Sequence, residues 1–169
     1  MELANSGFLY TLAMLAMTFV GFTAIVMIFR ESLGATLSRF DALVARFFMV
    51  WGFSIAYGAM LPPLLAAFDL SQPLIWRTSC VIMGLVLIVL SIAYPLLRRR
   101  ATGQRPPRFV YGQSTAGVII AIVLFADAAE PFRLPLGSAI YLAVLTFTLA
   151  QASVGFIITF GVMMRAPRD

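Results

Sequence analysis

Histidine and lysine are absent from the 169-residue chain, cysteine and asparagine occur once each, and charged residues make up only 11%. Without imidazole, the usual haem ligand, a frequent zinc ligand and the commonest general base are all missing. Cys80 is the sole thiol, so no intramolecular disulfide can form and no thiolate cluster can be built. It lies in an apolar run and reads as a small buried side chain. No Gly-rich phosphate loop, Ser/His/Asp set or CxxC pair is present. The expectations are therefore no cofactor, no metal and no enzymatic activity. All basic residues are Arg, 12 in number, which together with the lone Asn5 points to a GC-rich bacterial coding sequence.

What is abundant is apolar. Hydrophobic residues make up 62% of the chain and the mean hydropathy is +0.98, too little polar surface to coat a soluble globule of this size. The net charge of +5 comes from Arg residues flanking apolar runs, where membrane retention explains it better than nucleic acid binding. No interleaved aromatic and basic platform speaks for a nucleic-acid partner. The expected partner is the lipid bilayer, with a homo-oligomer or a larger membrane complex as further possibilities.

Five spans follow, at approximately residues 8–29, 43–68, 75–97, 109–129 and 137–164. Each is long enough to cross a hydrocarbon core of about 30 Å at about 1.5 Å rise per residue. The fourth is the weakest, because Gln113 and Asp127 interrupt it. The expected fold is all-α, a single transmembrane domain over residues 1–169 built as an integral membrane bundle of five helices.

Arg positions orient the bundle. With five spans, Arg30, Arg39, Arg46, Arg98, Arg99, Arg100, Arg105, Arg108, Arg165 and Arg168 share one side, and Arg77 and Arg133 the other. Removing the fourth span weakens that asymmetry. The positive-inside rule then places the amino terminus outside and the carboxy terminus in the cytoplasm, in a bacterial inner membrane. The loop over residues 98–108 is the main topological anchor.

Local signals refine the spans. Ser38 followed three residues later by Asp41 fits a reciprocal capping pattern, so the second helix is expected to start there. Pro62 and Pro63 remove backbone donors and predict a kink over residues 58–61. Ser71 is a candidate cap for the third helix, with Pro73 tolerated in its first turn. Small residues at helical spacing, among them Gly52, Gly58, Gly84 and Gly117, favour close helix packing.

Three groups are candidate functional residues. None of the runs carries a charge near its middle, but Gln151 falls there, and Thr148, Gln151, Gly155 and Thr159 follow three- and four-residue steps along one helical face. That stripe either packs helices together or lines a polar pathway or subunit interface. Arg77, Asp127, Glu130 and Arg133 gather at the outer ends, as locally paired interface charges or as an acidic vestibule. Arg98, Arg99, Arg100, Arg105 and Arg108 are topogenic and also candidates for contact with anionic lipid headgroups. The functional expectation is a small multi-pass protein acting as an oligomeric channel or transporter for a small solute or ion. The alternative is a non-catalytic accessory or assembly subunit of a larger membrane complex.

Overall fold

The computed structural model describes residues 5–32, 38–129 and 137–165, which form five helices. They are α1 (Ser6–Ser32), α2 (Arg39–Ala66), α3 (Gln72–Thr102), α4 (Arg108–Ala129) and α5 (Gly137–Arg165). All five are long and apolar enough to cross a membrane, the weakly patterned fourth included.

The start of α2 follows the expected chemistry. The Ser38 hydroxyl accepts from the Asp41 N–H at 3.1 Å, and the Asp41 carboxylate accepts from the Ser38 N–H at 3.1 Å. Two donors that a helix start leaves unpaired are thus satisfied reciprocally. The second Asp41 oxygen lies 3.4 Å from Arg30 Nη1, tying the end of α1 to the start of α2. Ser71 occupies the capping position of α3, but its side chain makes no capping hydrogen bond; Pro in the first turn is what starts that helix.

α2 stays helical through Pro62 and Pro63. Pro62 has no N–H to give the Gly58 carbonyl one turn earlier, and a carbonyl left bare in an apolar interior costs several kcal/mol by transfer estimates, about 2–7. The Tyr141 hydroxyl of α5 supplies the missing donor at 2.7 Å.

α3 runs further than its apolar stretch. Arg98, Arg99 and Arg100 are its last turns and not part of a loop, since basic groups are favourable at a helix carboxyl end. Gly103, at φ 66°, adopts the left-handed conformation that only Gly takes freely, and its N–H caps the Arg99 carbonyl at 2.9 Å. Only residues 103–107 separate α3 from Arg108, the first residue of α4.

Consecutive helices pair closely, α1 with α2 and α3 with α4, and the two pairs meet through α2 and α3. α5 touches all four other helices, whereas among the described residues α1 contacts neither α3 nor α4. Small residues permit the tightest approaches. A Cβ on Gly117 of α4 would collide with the Ser91 hydroxyl of α3, and one on Gly84 would lie 3.0 Å from the Phe125 ring. Leu9, Met83, Leu124, Tyr141 and Leu145 form one end of the core. Phe47, Trp51, Ile55 and Tyr94 fill its middle. At the far end Phe48 and Phe156 meet edge to face, with centroids 5.4 Å apart.

The outside is as apolar as the inside. Met14, Ile25, Tyr57 and Ile157 are each more than 60% exposed. Contiguous apolar surface on this scale suits lipid and not water. Five such helices fit a multi-pass membrane protein.

The ends of the bundle differ in charge. Arg30, Arg39, Arg46, Arg98, Arg99, Arg100, Arg105 and Arg108 cluster where α1 and α3 end and α2 and α4 begin, and Arg77 sits at the opposite end.

Candidate functional site

The polar stripe of α5 meets α4 at one point. Gln151 Nε2 donates to the Gln113 backbone carbonyl at 3.0 Å. That carbonyl can only accept, so the amide nitrogen must face it, and its second lone pair takes the bond without costing α4 its own helical hydrogen bond. Gly155, one turn along α5, lets the Gln113 side chain lie against the α5 backbone: a Cβ there would be 3.0 Å from the Gln113 amide nitrogen. Gln113 and Gln151 thus clasp the two helices from both sides.

The rest of the stripe is not shared between helices. Thr148 is fully buried and its hydroxyl donates back to the Val144 carbonyl at 2.7 Å. Thr159 is buried, and its hydroxyl has no partner among the described residues. Gln151 Oε1 is likewise buried and unpartnered. The Gln pair lines a cleft of about 330 Å³ between α4 and α5, walled by Phe109, Phe147, Val154 and Ile158. Phe147, Val154 and Ile158 are exposed, so the cleft opens on the apolar outer face of the bundle.

Arg77 and Asp127 both connect α3 with α4, but to different partners. Arg77 Nε donates to the Ala128 carbonyl at 2.8 Å, capping the carboxyl end of α4, where a cation is favourable. The Cys80 thiol donates to Asp127 Oδ2 at 3.7 Å. Cys80 is therefore buried as expected and also serves as a donor to the carboxylate. No ion pair joins Arg77 to Asp127 among the described residues. Glu130 and Arg133 lie outside those residues.

The Arg cluster divides. Arg98 turns inward: its guanidinium lies 4.8 Å from the Phe40 ring centroid and 6.0 Å from that of Phe109, with Nη1 donating to the Tyr94 hydroxyl at 3.4 Å. It binds α3 to α2 and α4 through cation–π contact. Arg99, Arg100, Arg105 and Arg108 remain exposed.

Sequence reasoning passed over Gln113, Tyr141 and Ser91. Gln113 looked like a flaw in a weak span, and Tyr141 was not singled out at all. The signal available for Tyr141 was Pro62, which demands a donor from elsewhere, though not from any particular residue.

Among the described residues no three His, Cys, Asp or Glu side chains gather to hold a metal ion. No family model, curated protein or solved structure matches the chain.

Proposed function

We propose that the chain is a non-catalytic, membrane-embedded subunit of a larger complex, inserted with its Arg-rich end in the cytoplasm of a bacterial inner membrane. The α4/α5 cleft is where a helix of its partner docks. The observation that carries this reading is the α4/α5 cleft itself, which opens on the exposed apolar face of the bundle and has Gln113 and Gln151 in its lining. Small and polar residues let membrane helices approach closely, and an interhelical hydrogen bond to a glutamine adds on the order of 1 kcal/mol. Supporting it, two donors of the stripe are spent within the protomer, Gln151 Nε2 on α4 and the Thr148 hydroxyl on its own helix, and Thr159 is buried.

A photo-reactive residue placed at Val154, in the cleft, tests the reading in native membranes. A stoichiometric adduct with a different polypeptide is expected, absent when the probe sits at Ile25 on the exposed face of α1 and lost on Gln151→Leu. An adduct with a second copy alone, together with solute flux in liposomes above that of empty vesicles, would overturn it in favour of an oligomeric pathway.

A further inference from the structure

A second cleft lies between α3 and α4 at the Arg-rich end, with a volume of about 400 Å³. It grades from charged to apolar. Arg99 stands at its mouth, with the hydroxyls of Tyr111, Ser114 and Thr115 along the α4 side. Ile92, Leu96 and Val118 make the wall deeper in. Along the helix axes Ile92 lies about 10 Å from Arg99, and Val118 about 15 Å from Arg108. Ser91 closes the deep end; it is 3% exposed and its hydroxyl has no partner among the described residues. Pro95 also lines the cleft and leaves the Ser91 carbonyl without its helical donor.

We propose that this cleft binds one anionic glycerophospholipid, its phosphate on Arg99 and the α4 hydroxyls, and an acyl chain along Ile92, Leu96 and Val118. Charge complementarity argues for the headgroup. Arg99 is exposed and forms no ion pair among the described residues. The Asp41 carboxylate, at the same end of the bundle, is already engaged by Ser38 and Arg30. Guanidinium and hydroxyl donors converging on one cleft suit phosphate oxygens. The depth gradient argues for a lipid over a free phosphate ester, which has nothing to place against the apolar wall. The volume is in the range of ligand clefts. The inference requires the chain to sit in a bilayer; it does not depend on a partner at the α4/α5 cleft.

Native mass spectrometry of the full chain, stripped of lipid in an uncharged detergent, tests it with phosphatidylglycerol and phosphatidylcholine of matched acyl chains. Phosphatidylglycerol is expected to bind at least about tenfold more tightly, an advantage lost in Arg99→Gln and kept in Arg105→Gln, which lies outside the cleft. Val118→Trp, filling the wall, should weaken both lipids. Should Arg99→Gln fail to fold, Thr115→Val gives the same comparison with a smaller loss. Equal binding of the two lipids overturns the proposal. So does equal weakening by Arg99→Gln and Arg105→Gln, which marks a diffuse field and no site. Displacement of phosphatidylglycerol by inorganic phosphate or glycerol phosphate at comparable concentration overturns the lipid assignment and leaves a phosphate site.

Discussion

The Tyr141 hydroxyl stands 2.7 Å from the Gly58 carbonyl oxygen, a bond that joins α5 to α2 across 83 positions of sequence. It exists because Pro62 cannot make the helical bond that Gly58 would otherwise receive. A helix defect in one element is thereby answered by a side chain in another. Gly58 also lets that neighbourhood close up, since a Cβ there would lie 2.9 Å from Met83 Sδ.

Tyr141→Phe should therefore destabilise the bundle by about 1–3 kcal/mol, the cost of a buried acceptor left unpaired. Pro62→Ala restores an N–H to the same carbonyl, so in that background the Tyr141→Phe penalty should shrink to below about 1 kcal/mol. Denaturant unfolding of the four proteins in detergent reads out the cycle. Equal penalties in both backgrounds would show that the hydroxyl and the proline are unrelated.

The α3/α4 contact makes a similar demand at Gly117, where an added methyl runs into the Ser91 hydroxyl. Gly117→Ala should cost about 1–3 kcal/mol through overpacking. Ser91→Gly, which removes the obstructing group, should recover most of that loss when combined with it. The same unfolding measurement checks the pair, and no recovery would mean that the helices separate for another reason.

Orientation is open to direct labelling. A cysteine in place of Thr102, at the Arg-rich end of α3, should react with an impermeant thiol reagent only after the cytoplasmic side is opened. One in place of Ser71, at the opposite end of the same helix, should react in intact cells. Cys80 is buried and adds little background. The reverse pattern would invert the whole topology.

Much of the scaffold was legible because membrane helices carry their signal locally. Residues 38–41 announced the start of α2, and the capping box is present there. Residues 109–129 were long enough to count as a span despite Gln113 and Asp127, and α4 occupies them. The carboxyl end of α3 was less legible: hydropathy stops at Leu97, but the helix uses three Arg residues to finish and Gly103 to stop. Composition separates apolar from polar stretches; it does not separate helix from loop among polar residues.

Pairwise relationships between distant helices were the part that could not be read. Gln151 stood out as polar in the middle of a span, yet nothing in its own segment named Gln113 as its acceptor. Arg77, Asp127, Glu130 and Arg133 looked like one cluster because in the sequence they fall at the ends of neighbouring apolar runs. Rotation about the helix axis sends Arg77 to a backbone carbonyl and Asp127 to Cys80. A level is set by distance along the chain, but a facing neighbour is set by packing.

The position of α5 against every other helix bears on the order of assembly. During synthesis α1 with α2 and α3 with α4 can pair as they emerge, each within a short stretch of chain. Until α5 arrives, Gly58 faces a gap with its carbonyl bare, and the two hairpins touch each other only through α2 and α3. α5 closes the bundle: it covers the Gly58 carbonyl with Tyr141 and clasps α4 through Gln151, adding a second tie to the α2/α3 contact that already joins the two hairpins.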